Sequence, residues 1–257
     1  MNNWRRLIGA AAHAGAFAFT LAAALPSAAE AARESVVFVC AHPDDLAGCS
    51  GTALLLSEKF DVRVVDFTRG EGGCGEAGYL DGSTAKQRMA EERAACAMLG
   101  TEPYFLCETN WYGMAHAGPE VTKQLAEYFR KVNPRAVILH WPLDTHPDHV
   151  QSTAAALHAI YFAKIKPEIY FQEQTSQSRS FQPAYYVDIS RVKERKDKLI
   201  RCYVCQAGEE IRKRKEHDSV FRGRRVGVHH AEAFAVYEGS VRANRSIFNE
   251  IDPPAVR

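Results

Sequence analysis

At 257 residues, with 46% hydrophobic and 25% charged residues, the chain has the length and composition of one globular domain with a full core, which excludes a disordered or fibrous protein. A formal charge of +1 at pH 7 supplies no overall electrostatic footprint for nucleic acid or an anionic membrane. Seven cysteines, an odd count in a chain of this size, do not describe a small disulfide-built scaffold.

From the N-terminus, MNNWRR is followed by the apolar, alanine-rich LIGAAAHAGAFAFTLAAAL and then by PSAAEA, with A-x-A spacing at Ala29 and Ala31. This is the order of a secretory signal peptide, predicted over residues 1–31, and it implies export to the periplasm or the medium. An uncleaved anchor is the alternative, because the apolar run is nearly long enough to span a bilayer. Cleavage would take Arg5, Arg6 and Glu30 with it and leave 30 basic against 30 acidic residues, with no stable membrane insertion expected of the mature chain.

Residues 32–257 read as one domain. Val36 to Cys40 is an apolar run of strand length, and TALLLSEKF after it has a helical pattern. VRVVDF (Val62 to Phe67) is the next strand and ends in the glycine-rich TRGEGGCGEAG, which lacks the lysine of a phosphate-binding P-loop. AKQRMAEERAACAMLG predicts a helix with Met89, Ala90, Arg93, Ala94, Ala97 and Met98 near its inward stripe. The helical VTKQLAEYFRKV leads to the strand AVIL (Ala136 to Leu139), then HWPLDTHPDHV and the helix STAAALHAIYFAK. EIYFQEQ and AYYVDIS predict two further strands before a charged helix from Arg191 onwards. Alternating strands and helices imply a three-layer α/β/α sandwich around a mostly parallel, Rossmann-like sheet. In such sheets, ligands bind outside the carboxyl ends of the strands. The polar loops at 41–51, 68–78 and 140–149 each follow a strand and can therefore meet.

Two of those loops carry an H-P-D segment. A hydrolytic zinc site takes three ligands from histidine and carboxylate and leaves a position for water. His42 and Asp45 can supply two, and His146 or His149 the third, with the other histidine left to face a substrate. Asp44 suits a general base that takes a proton from the attacking water, and the spare histidine suits an oxyanion donor. One H-P-D alone is as readily a turn with a helix cap; two, each directly after an apolar strand, point to a metal. His140, His158, His217, His229 and His230 show no such pattern and read as surface or internally satisfied histidines. Cys40 and Cys96 read as buried thiols, and Cys202-x-x-Cys205 lacks the context of a zinc or redox motif. The basic run Ile211 to Arg225 reads as a solvated helix face in preference to an anion-binding one.

AHPDD (Ala41 to Asp45), TRGE (Thr68 to Glu71), R-x-x-E (Arg88 to Glu91) and HWPLDTHPDH (His140 to His149) resemble the signature segments of the PIG-L/LmbE-like zinc deacetylases. YVDIS (Tyr186 to Ser190) and AEAF (Ala231 to Phe234) also recur in some branches. The resemblance implies one zinc per chain on His42, Asp45 and His149, Asp44 as general base, His146 as oxyanion donor and Arg88 as a sugar contact. It implies removal of the acetyl group from a small N-acetylglucosamine-type sugar or conjugate. Against that last role, Arg88 can equally be a helix arginine paired with Glu91 or Glu92. The chain departs from the family in having Leu46 and Ala47 where a glutamate is common, which bears on substrate preference. The other readings are an amidase for a larger acyl or thiol-conjugate amide, and a carbohydrate-binding module without turnover.

Overall fold

In the computed structural model the described residues are 33–74, 81–106, 114–241 and 245–257. The signal peptide expected over 1–31 lies outside them, as does the last part of the glycine-rich loop. The sheet-forming segments are β1 (Ser35–Cys40), β2 (Asp61–Asp66), β3 (Tyr104–Phe105), β4 (Ala136–His140), β5 (Glu168–Gln172), β6 (Tyr185–Asp188) and β7 (Ala231–Val236). The helices are α1 (Ser50–Leu56), α2 (Ser83–Ala97), α3 (Pro119–Val132), α4 (Pro147–Ala163), α5 (Lys193–Ile200) and α6 (Gly208–Val226).

The seven strands lie in the order β3-β2-β1-β4-β5-β7-β6. The first five are mutually parallel, and β7 runs antiparallel between β5 and β6. Both faces are covered, which is why β1 is apolar throughout and not alternating. Val36, Phe38 and Cys40 point to one side, among Leu54, Leu199 and Phe234. Val37 and Val39 point to the other, among Leu125, Phe129 and Ala159. Each large apolar side chain so enclosed contributes about 1.5–3 kcal/mol.

The expected sandwich is present, with the two-residue β3 added at its edge and three further differences. β7 was not anticipated as a strand: AEAFAV is half alanine, a residue depleted in strands, and pairing on both edges holds it in the sheet. The charged helix is two, α5 and α6, separated by the turn that carries Cys202 and Cys205. The inward stripe of α2 is also not the expected one. Ala90, Arg93, Ala94 and Ala97 are exposed, while Thr84, Ala85, Arg88, Glu92, Ala95 and Cys96 are buried. A hydrophobicity pattern cannot identify a face whose buried members include an arginine and a glutamate.

β7 explains the AEAF segment. Glu232 accepts hydrogen bonds from Gly51 N (2.9 Å) and Thr52 N (2.7 Å), first-turn groups of α1 that have no partner within the helix. It also receives Lys196 Nζ at 2.6 Å in a buried ion pair. A Cβ on Gly51 would meet Glu232 Oε1 at 2.9 Å, so glycine there is a condition of the carboxylate's approach. Glu232→Ala would leave Lys196 charged and unpaired in the core. The expected loss is about 3–5 kcal/mol, read as a lower urea midpoint at unchanged slope; a loss within error would show that the pair holds nothing.

Candidate metal centre

Between β1 and β4 the chain order of the sheet reverses direction, and the crevice at their carboxyl ends is where such folds bind ligands. The loop after β1 brings His42, Asp44 and Asp45 there, and the loop after β4 brings Asp144, His146, Asp148 and His149. Asp45 lies deepest. Its Oδ2 accepts from Ala41 N (3.0 Å) and His42 N (2.8 Å), and its Oδ1 lies 3.3 Å from His149 Nε2. His42 Nδ1 is 3.5 Å from the same carboxylate. His42, Asp45 and His149 thus offer ligand atoms within 4.8 Å of one another.

Each histidine of this trio has a carboxylate on its remaining nitrogen. His149 Nδ1 is 3.2 Å from Asp144 Oδ1, and His42 Nε2 is 2.8 Å from Asp148 Oδ2. Metal-binding histidines are commonly oriented in this way, and the donor set of two imidazoles and a carboxylate suits a divalent transition metal. A second trio, His42, His146 and Asp148, is equally compact. There, however, the Asp148 carboxylate is engaged by His42, and His146 Nδ1 accepts the Asp148 backbone N–H (3.2 Å) as the cap of α4. That cap fixes the tautomer: the proton of a neutral His146 sits on Nε2. Burial and the neighbouring charges of His42 and His149 hold its pKa below the ordinary value.

His140 corrects the sequence expectation. It is fully buried, stacks on His149 with centroids 4.1 Å apart and planes within 4°, and sets Nε2 3.2 Å from Asp45 Oδ2. Its place at the last residue of β4, directly above the second loop, was the available signal. Asp144, unassigned in the sequence, orients His149.

Asp44 stands beside the trio in a left-handed backbone conformation (φ 118°), which costs a non-glycine residue about 1–3 kcal/mol. Arg88 holds it there. Its Nη2 donates to Asp44 Oδ1 at 2.7 Å and to the Pro43 carbonyl. Arg88 is therefore no exposed helix arginine: Glu91 instead receives Cys205 N at 3.0 Å. Gly70, at φ +73°, leaves room for the guanidinium, since a Cβ there would meet Arg88 Nε at 2.5 Å. Asp44 Oδ2 has no partner among the described residues and opens on a cavity of ≈ 750 Å³ lined by Arg88, His146, His149 and Gln174, among others. Burial pushes the Asp44 carboxyl up to about 6, although Arg88 opposes this.

Residues 37–160 match the family described as PIG-L, GlcNAc-PI de-N-acetylase. A relative, the diacetylchitobiose deacetylase of Thermococcus kodakarensis, is 26% identical over 193 residues, which cover 69% of this chain and 72% of that one. The solved structure of N,N'-diacetylchitobiose deacetylase from Pyrococcus horikoshii, complexed with an inhibitor, superposes with a TM-score of 0.69 at 25% identity, covering 80% and 85% of the two chains. GalB, the 4-carboxy-2-hydroxymuconate hydratase of Pseudomonas putida KT2440, has a TM-score of 0.70 at 24% identity, covering 83% and 100%. The last likeness is one of fold, and the fold alone does not select a reaction.

The trio makes a testable statement about protons. Burial by itself would lower His42, but the hydrogen bonds to Asp148 and Asp45 outweigh it and raise the pKa to about 9. His149, opposed by burial and supported by Asp45 and Asp144, rises to about 10. Both are thus charged at pH 7, and a metal, which needs neutral imidazoles, must displace their protons. Zinc titrated calorimetrically at pH 7 in buffers of different ionisation enthalpy should release about two protons per ion, with affinity climbing as pH rises towards 9. Release near zero would mean that the ion binds elsewhere.

Proposed function

From the match of residues 37–160 to the PIG-L family, we propose that the chain is a zinc-dependent deacetylase of that family, which removes the acetyl group from an N-acetylglucosamine-type sugar or conjugate. The observation that carries this reading is the convergence of two H-P-D loops, which sets Asp44, with one carboxylate oxygen free, beside the trio of His42, Asp45 and His149. The relatives named diacetylchitobiose deacetylase support the substrate class. The expected ligand set is His42, Asp45 and His149, with one zinc per chain. Zinc bound there would acidify a water and polarise the amide carbonyl.

The chain's own residues supply the proton path. Asp44, ionised above its pKa of about 6, takes the proton from the attacking water and passes it to the leaving nitrogen as the C–N bond breaks. The products are acetate and a free amine. His146, neutral and protonated on Nε2, donates to the oxygen on which negative charge develops. Arg88 acts first on Asp44, holding its carboxylate in place and ionised, and lines the cavity beside it. The leader-like residues 1–31 support action outside the cytoplasm.

The zinc-loaded protein should release acetate from at least one member of a panel of N-acetylglucosamine, diacetylchitobiose, glycosylated inositols and longer-acyl amides. Asp44→Asn should lower kcat by roughly 10²–10⁴-fold at unchanged zinc content; full zinc and no acetate from any member would sink the proposal. The pH profile offers a separate check. Ionisation of Asp44 should give kcat/KM a rising acid limb, and since the Arg88 charge lowers that pKa, Arg88→Met should move the limb to higher pH by about one unit. An unmoved limb would assign Arg88 to the substrate alone.

A further inference from the structure

Away from the metal centre, α3 and α4 lie side by side and run in the same direction. Ala117, just before α3, donates its N–H to Gln151 Oε1 near the start of α4 (3.1 Å), and Arg130 Nη2 donates to the Phe162 carbonyl near the ends of both (2.8 Å). A groove of ≈ 530 Å³ runs between them, with Thr122 and Ala126 along it, Ala117 and Pro119 at one end and Phe162 at the other. Beside it stand the two most exposed aromatic residues among those described. Tyr161 is 77% and Phe162 56% exposed, and their rings pack edge to face at 5.6 Å. A hydrophobic knob and an apolar groove thus share one face, as at an interaction surface.

The charges on α3 show what covers it. Glu120, Lys123, Glu127 and Arg130 are exposed along the helix at steps of three, four and three. Such spacing favours ion pairs within one helix, and the basic run of α6 makes them: Arg212 meets Glu209 (2.9 Å) and Glu216 (2.6 Å), and Lys213 meets Glu210 (2.8 Å). On α3 they are not made. The side chains of Glu120, Lys123 and Glu127 have no ion pair or hydrogen bond among the described residues, and Arg130 reaches the Phe162 carbonyl. Unpaired surface charges are common; the distinction of α3 is their order. They alternate in sign and are symmetric about Leu125, with Glu120 and Arg130 five residues to either side and Lys123 and Glu127 two. A two-fold axis level with Leu125 sets a second α3 antiparallel to the first. Glu120 then faces the partner's Arg130, and Lys123 faces the partner's Glu127. Because α4 is parallel to α3, the same rotation carries Phe162 to the opposite end of the groove, where Ala117 and Pro119 present little side chain.

We propose that this face joins two copies of the chain in a two-fold dimer, with α3 antiparallel to the partner's α3 and the Tyr161–Phe162 pair of each copy seated on the groove of the other. An isologous contact requires a surface complementary to itself. Knob, groove and inverted charge order on one face meet that requirement, whatever reaction the metal centre performs.

Sedimentation equilibrium of the full chain should give the mass of two chains, falling to one on dilution, and the melting temperature should rise with protein concentration. Lys123→Glu and Glu127→Lys each set like charges against each other twice across the axis, and each should raise the dimer dissociation constant roughly 10- to 100-fold. Mixed in equal amounts, the two variants should associate with one another, because every contact across the axis again joins opposite signs. Damage to either fold cannot produce that rescue. Phe162→Asp should give a monomer with an unaltered circular dichroism spectrum. A dimer indifferent to all three substitutions, or a mixture of the two charge variants that stays monomeric, would overturn the proposal. So would an unsubstituted chain that is monomeric at every concentration; flotation on phosphatidylglycerol vesicles, lost in Phe162→Asp, would then assign the face to a lipid surface.

Discussion

The carboxylate of Asp45 is buried at the end of β1, with two backbone N–H groups donating to it and the imidazoles of His140 and His149 against it. An ionised carboxylate removed from water needs this degree of compensation. Burial opposes its charge, yet the flanking histidines hold its pKa well below the ordinary range. The rest of the site is arranged around it. The hydrogen bonds from Ala41 and His42 fold the loop tightly back on the strand, and that turn aims His42 at Asp148. His149 reaches Asp45 from the first turn of α4, where Pro147 and the His146 cap start the helix.

Asp44 shows what the tight turn requires. Its positive φ is unfavourable for an aspartate, and Arg88 compensates by bonding both the side chain and the preceding carbonyl. Arg88 in turn needs space, which the glycine-rich loop supplies. The carboxylates deeper in the core do not compete for its charge. Burial raises Asp66 well above the usual range and Glu92 to about 7, so protonation relieves those groups and leaves the guanidinium to Asp44. The placement of Asp44, loop composition and the polar face of α2 are therefore one structural problem.

Much of this was legible in the residues themselves. An apolar run ending in HPDD, and another ending in the HPDH loop, encode both the buried parallel strands and the histidines and aspartates that follow them, because burial on two faces demands continuous apolar sequence and a crevice forms where the strands stop. His42, Asp44, Asp45, His146 and His149 were identifiable on that ground. Other features depend on neighbours distant in sequence. His140 looked like an unremarkable histidine until the stacking on His149 and the contact with Asp45 gave it a place. The burial of Arg88 and Glu92 ran against the hydrophobic stripe of their helix, since polar residues go inside only where partners from other segments compensate them. AEAFAV became a strand through its pairing edges, and the basic run of α6 acquired an inner and an outer face only when packing decided which cations met carboxylates. The sequence by itself determined the chemistry on offer and the order of strands and helices, because periodicity and residue type are local. The tertiary structure alone decided which charges are paired and which remain open to a ligand, because pairing depends on distances between segments that the chain brings together only when it folds.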